Sequence, residues 1–160
     1  MRNMMLQVKN FSKIVLCALL LLAAGCKNDE NGPDVPISPS ASIYGNIDQP
    51  DWAVPTDYDM TSSMTAIVRV TLLADYQSSE EDMLAAFSGA TCIGVGSYNA
   101  QYNAYWLYIA ALTSGGEVTL KHYSAAYRNI FVATATIPFR NDAQLGTISA
   151  PYTPQWRVAD

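Results

Sequence analysis

The sequence predicts an all-β protein: a single Ig-like antiparallel β-sandwich of about seven to eight strands, preceded by a signal peptide and a flexible linker. Three observations predict it. From residue 43 onward, aromatic and β-branched residues recur between turn signals roughly every eight to twelve residues. Two stretches alternate with period 2: Val68, Val70 and Leu72 against Arg69 and Thr71, and Val118, Leu120 and His122 against Thr119, Lys121 and Tyr123. Helix signals are confined to one turn at 78–82, where Ser78 with Glu81 and Ser79 with Asp82 have capping-box spacing.

The chain of 160 residues is expected to divide into a lipoprotein signal peptide at 1–25, a lipidated cysteine and linker at 26–42, and the β-sandwich at 43–160. Arg2, Lys9 and Lys13 precede an uncharged run, IVLCALLLLAA at 14–24, which has the layout of a secretory signal. That run is shorter than the roughly 17 to 25 apolar residues needed to span hydrocarbon, so cleavage rather than permanent insertion is expected. Leu22-Ala23-Ala24-Gly25-Cys26 resembles a bacterial lipobox, which implies acylation of Cys26 and anchoring of the mature protein through its acyl chains. The following segment, KNDENGPDVPISPSAS, has three prolines and almost no large apolar side chain, so it cannot offset the entropy of ordering.

Within the domain, strands are expected at 65–74, 83–87, 91–98, 104–112, 118–124 and 130–139, with short edge strands near 43–47 and 145–149. Thr113-Ser114-Gly115-Gly116 reads as a hairpin turn because glycine tolerates positive φ. A domain of this size buries about two-thirds of its unfolded surface and needs no disulfide or metal.

Charge narrows the partners. Removing Arg2, Lys9 and Lys13 with the signal leaves 6 basic residues against 14 acidic ones and takes the net charge from −5 to −8. An anionic surface repels phosphate, so nucleic acid is not an expected partner. The chain has one histidine, and Cys17 and Cys26 are assigned to the signal and the lipid, leaving Cys92 as the single free thiol. That inventory excludes an intramolecular disulfide and a zinc site built from His and Cys. Cys92, within a strand and without a basic neighbour in sequence, reads as an inert buried thiol, and His122, in phase with Val118 and Leu120, as a core histidine. No G-x-S-x-G, S-x-x-K or H-E-x-x-H motif occurs. Gly94-Val95-Gly96 lacks the third glycine and following helix of a phosphate loop. Asp48, Asp51, Asp57 and Asp59 lack the spacing of a calcium loop and read as a solvated acidic face. The expectation is a protein without enzymatic activity, cofactor or metal.

Four stretches, at 52–65, 82–95, 105–123 and 137–152, together resemble an uncharacterised β-sandwich domain of Bacteroidota surface lipoproteins and secreted proteins. In such domains a loop acidic residue leads a strand reading A-A-F, a glycine turn follows, and the next strand carries C-x-G-V. The matching residues are Asp82, Ala85-Ala86-Phe87, Gly89 and Cys92-Ile93-Gly94-Val95. Ile93 stands where the family usually has arginine. Lys27-Asn28-Asp29-Glu30 is similar to the short acidic tag of lipoproteins displayed on the outer face of the outer membrane. The resemblance implies a fold and a cell-surface setting, without an established activity.

A mixed aromatic and amide set remains: Trp106, Tyr102, Tyr98 and Tyr108, with Asn99 and Asn103 in the adjoining turn. Aromatic faces stack on sugar C–H groups while amides take hydroxyls, so this set is the candidate ligand-binding site for a polysaccharide or other extracellular ligand. If Tyr105, Leu107 and Ile109 face inward, Trp106 and Tyr108 face away from them. The expected role is a non-enzymatic glycan-binding accessory to nutrient capture, lipid-anchored in the outer membrane. The alternative is a structural or adhesive module that joins an outer-membrane protein complex.

Overall fold

Alternation of side chains along Ser63–Val68 (β1) puts Met64, Ala66 and Val68 into the core and Thr65 into solvent, the signature of a strand buried on one face. The computed structural model describes residues 43–57, 61–110 and 116–160, so the signal, lipidation and linker assignments at 1–42 lie outside the described residues. Eight further strands follow: β2 Met83–Ser88, β3 Thr91–Asn99, β4 Ala104–Ala110, β5 Glu117–Ser124, β6 Asn129–Ala133, β7 Ile137–Pro138, β8 Gln144–Leu145 and β9 Trp156–Val158. The described residues contain no α-helix, and the all-β class is as expected.

The strands expected in two stacked sheets are joined edge to edge into one sheet, ordered β8-β1-β4-β3-β2-β5-β6-β9, with β7 paired to β5. All pairs are antiparallel except β1 with β8, and a parallel bridge from Val68 to Tyr152 prolongs that pairing. The sheet curls into a half-barrel. Inner side chains from β1, β2, β3, β4, β5 and β6, with Trp156 of β9, meet in one core cluster. The ring of Tyr105 on β4 lies 5.9 Å from that of His122 on β5, although β3 and β2 stand between those strands in the sheet.

Strands β2 to β5 form a Greek key: β2, β3 and β4 are successive antiparallel neighbours, and β5 returns to pair with β2. This corrects the hairpin expected at 113–116. Strand β4 is already paired on both sides, by β1 and β3, so the chain crosses to the far side of the curl instead of turning back. Residues 111–115 of that connection lie outside the described residues.

Other boundaries differ for reasons visible in the pairing. The first strand stops at Val68, opposite Tyr105, because its partner β4 begins there after the 100–103 turn. The strand expected at 130–139 is two pieces. Residues 134–136 loop out, Thr134 bonds the carbonyl of Gln155, and Ile137 rejoins β5 opposite Val118. Residues 43–47 are no strand, although Gly45 and Ile47 donate to the carbonyls of Tyr127 and Arg128. At the β2–β3 turn Gly89 has φ +59, which suits glycine. A bulge follows. Ala86 pairs with Gly94 but Phe87 with Cys92, so Ile93 is an extra residue that points into the main core while Cys92 and Val95 both face out. Gly94 is required there, since a Cβ would lie 2.7 Å from the carbonyl of Tyr108.

A buried polar cluster closes one end of the curl. Asp82 accepts from the Ser79 and Ala125 amides at 2.9 and 2.7 Å and from the Tyr76 hydroxyl at 2.8 Å, so the turn expected at 78–82 is capped by Asp82 itself. The Tyr76 oxygen also lies 2.8 Å from His122 Nε2 and 3.1 Å from Ser124 Oγ. A phenol has one proton, and a carboxylate can only accept. The proton can therefore serve only one of these three neighbours, and the Asp82 carboxylate is the one that can do nothing but accept it. Burial lowers the His122 pKa to about 4, against the opposing pull of Asp82 and of the Met83 backbone.

His122 is thus neutral in the folded protein and takes a proton far more readily when unfolded. Its contribution to stability is complete above about pH 6.5 and is lost as pH falls toward about 4. As it is the only histidine in the chain, urea-unfolding free energy should be flat from pH 8 to 7. Between pH 6.5 and 5 it should then fall by up to about 1.4 kcal/mol per pH unit, a loss that begins above the usual carboxylate range. A flat profile down to pH 5 would remove the neutral buried histidine from the account.

Candidate functional site

The outer face of the curled sheet is divided in two. Over β2 and β3, Ala85, Phe87 and Cys92 are covered by Trp52, Val54 and Val95; the Trp52 ring meets Phe87 edge-on at 5.5 Å. Lys121 Nζ lies 4.4 Å from the centre of the Phe87 ring. Burial pushes the Cys92 thiol up, the opposite of what a nucleophile needs. Over β4 and β1 the face is open.

There Trp106 and Tyr108, two residues apart on β4, project from the same side, about 7 Å apart along the strand. Their parity is opposite to Tyr105, Leu107 and Ile109, which are buried. Register places Ile67 opposite Trp106 and Thr65 opposite Tyr108 on β1, Ser97 opposite Trp106 on β3, and Gln144 of β8 beside Thr65. These strands form a shallow groove of about 330 Å³ lined by Thr65, Ala66, Ile67, Trp106, Leu107, Tyr108 and Gln144. Tyr108 is 47% exposed. Tyr102, 37% exposed in the β3–β4 turn, meets Trp106 edge-on with ring centres 5.8 Å apart. The lining has two aromatic rings, the Gln144 amide and the hydroxyls of Thr65 and Tyr108, and no carboxylate, histidine or thiol. It can stack a flat or alicyclic ring and bond its polar rim.

The other three residues of the expected set build the hairpin that presents this face. The Tyr98 hydroxyl donates to the carbonyl of Ser78 at 2.6 Å and lies 3.1 Å from the Asn103 side-chain amide, and its ring packs 5.1 Å from that of Tyr105. Burial, then the charges of Asp82 and Glu80, push its phenol up. Asn99 Oδ1 accepts the Gln101 amide, and Asn103 takes φ +45, a conformation asparagine tolerates better than most residues. Cys26 lies outside the described residues. Sequence reasoning missed Thr65, Ile67 and Gln144. The parity of β1 pointed to the first two, whereas Gln144 arrives through a parallel pairing that no local pattern announces.

The chain's one histidine and its carboxylate neighbour are sealed. His122 is 0% exposed, and its Nδ1, Trp156 Nε1, Tyr105 OH and Ser78 Oγ are buried without a hydrogen-bond partner among the described residues. Burial drives the Tyr105 phenol well up, and Ser78 offsets this only in part without completing a well-formed bond. Among the described residues no three His, Cys, Asp or Glu side chains converge as metal ligands, and Asp48 is instead paired with Arg128 at 2.8 Å.

Comparison with protein-family models, with curated proteins and with solved structures finds no match.

The division between presenting and presented residues is measurable. Tyr98→Phe strands the Ser78 carbonyl and should cost about 1–3 kcal/mol in urea unfolding. Tyr102→Ala, at an exposed turn, should change stability by under about 0.5 kcal/mol. Equal costs would contradict the assignment.

Proposed function

We propose that this protein is an outer-membrane lipoprotein, anchored through Cys26 and facing the cell exterior, whose β-domain binds extracellular glycan without chemical turnover as an accessory to nutrient capture. The observation that carries the reading is the pair Trp106 and Tyr108, held on an open sheet face above a groove edged by Thr65 and Gln144. Large aromatic side chains are costly to leave in water, and single exposed ones are ordinary. A pair in register, with an amide and a hydroxyl at the rim, matches the alternation of apolar faces and hydroxyls on a sugar chain. The lining has no carboxylate, histidine or thiol, which supports binding over turnover. The lipobox-like segment ending at Cys26 supports the anchored setting, and the acidic residues after it support outward display.

Two experiments test the two halves of this reading. In affinity electrophoresis against a panel of polysaccharides, the purified protein should be retarded by at least one polymer, and Trp106→Ala with Tyr108→Ala should weaken that retention about tenfold or more, equivalent to about 1.4 kcal/mol. Far-UV circular dichroism reports whether the double variant still folds. Retention by no polymer, or unchanged retention by a folded double variant, rules the groove out. In cells fed an alkyne-labelled fatty acid, Cys26→Ser should abolish incorporation and move the protein to the aqueous phase of a detergent partition. Persistent labelling would place the lipid elsewhere.

A further inference from the structure

A cation without a counter-ion among the described residues stands at the hairpin end of the groove. Arg69 follows β1 on the same outward parity as Thr65 and Ile67, about 7 Å beyond Ile67, the residue opposite Trp106. Its Nη2 donates to the carbonyl of Tyr102 at 3.2 Å, and the Tyr102 ring in turn meets Trp106, so guanidinium and platform belong to one surface. Among the described residues Arg128 and Arg157 are closed on Asp48 and Asp160, at 2.8 and 2.9 Å, Lys121 is spent on Phe87, and Arg140, exposed in the segment after β7, is in no ion pair but is not partly buried as Arg69 is. Arg69 forms no ion pair among the described residues. It is partly buried, and its Nε is sealed without a partner.

A guanidinium stays charged throughout the physiological pH range and has five N–H donors in a planar fork suited to carboxylate and sulfate. The Tyr102 carbonyl takes one of them and the sealed Nε–H is out of reach, which leaves three on the two terminal nitrogens for an oxyanion. Partial desolvation of an unpaired cation is unfavourable, and an oxyanion arriving from solvent offsets that cost while forming charge-assisted bonds. The acidic excess of the chain does not forbid this. Charges more than about 8 Å away are largely screened at physiological salt, whereas a contact at hydrogen-bond distance is governed by the guanidinium itself.

We propose that the groove takes an anionic sugar, with the ring stacked on Trp106 and Tyr108 and its carboxylate or sulfate on Arg69. This inference rests on the glycan reading and specifies the class of glycan. The probes are two matched polymer pairs: polygalacturonate against its methyl ester, and dextran sulfate against dextran. The wild-type protein should bind the acid form of at least one pair about tenfold more tightly than its uncharged counterpart. The pair that shows the preference identifies carboxylate or sulfate. Arg69→Gln should weaken the acid form about tenfold more than its uncharged counterpart and so erase the preference, and Arg69→Lys should retain part of it as a point charge. Because the acid-against-neutral comparison is made on the wild type, it stands even if Arg69→Gln, which loses the bond to the Tyr102 carbonyl, folds poorly. Equal binding within both pairs, or an Arg69→Gln loss shared equally by acid and neutral forms, overturns the anionic specificity and leaves the glycan reading intact. Absence of binding to all four polymers and to every neutral polysaccharide in the wider panel overturns both.

Discussion

The phenolic proton of Tyr76 can satisfy only one of the three side chains around it, and the end of the half-barrel is organised by that choice. Donation to Asp82 leaves the oxygen to face His122 Nε2 and Ser124, so one hydroxyl links the loop that follows β1 to the end of β5. Asp82 in turn grips the Ala125 amide just past β5, which fixes where β2 starts beside it. His122 has the rings of Tyr105 and Trp156 each 5.9 Å away, so β4, β5 and β9 converge on it. Removing the hydroxyl would leave several buried polar groups unpaired at once. Such clusters tolerate partial loss poorly, because each orphaned group bears its full desolvation cost.

That closure has a consequence on the opposite side of the sheet. Curling commits the inner faces of β1 to β6 to a single core, which leaves their outer faces to be covered separately. Trp52 and Val54 cover the part over β2 and β3, while Trp106 is met only at its edge by Tyr102 and Tyr108 stays 47% exposed. The bulge at Ile93 sharpens the division by turning Cys92 and Val95 to the same outer side. With Gly94 allowing close approach of β3 to β4, it seats the covered half beside the open one. A binding face on a paired, bonded sheet is rigid in a way a loop site is not, which lowers the entropic cost of capturing a ligand.

Legibility in the sequence followed the range of the interaction. The alternation at 68–72 foretold which face of that stretch is buried, as Val70 and Leu72 show, although the strand itself ends at Val68 where its partner turns away. His122 and Cys92 were readable as core residues from parity and neighbours. The glycine turn before Cys92 carried its own conformational signal in Gly89. Tyr98, Asn99 and Asn103 have the composition of a ligand site, but their polar atoms are consumed in shaping the 100–103 turn, a use that depends on which carbonyls and amides come within reach. Tyr76 had no marker in its loop, since its importance arises only when β5 brings His122 and Ser124 to it. Gln144 and Arg69 were equally silent, one delivered by the parallel pairing of β8 and the other by the carbonyl of Tyr102.

The sequence by itself determined the all-β class, the inward and outward sides of its clearest strands and the shortage of catalytic side chains, because side-chain period and residue inventory are local properties of the chain. It also pointed to Trp106 and Tyr108 as a pair on one face. Only the tertiary structure decided that the strands curl into one sheet, that β5 returns to β2 instead of pairing with β4, and that a guanidinium stands at the end of the aromatic groove. Those outcomes depend on hydrogen bonds and burial between residues far apart in sequence, where the competing pairings have the same local pattern and differ only in how well the whole sheet closes.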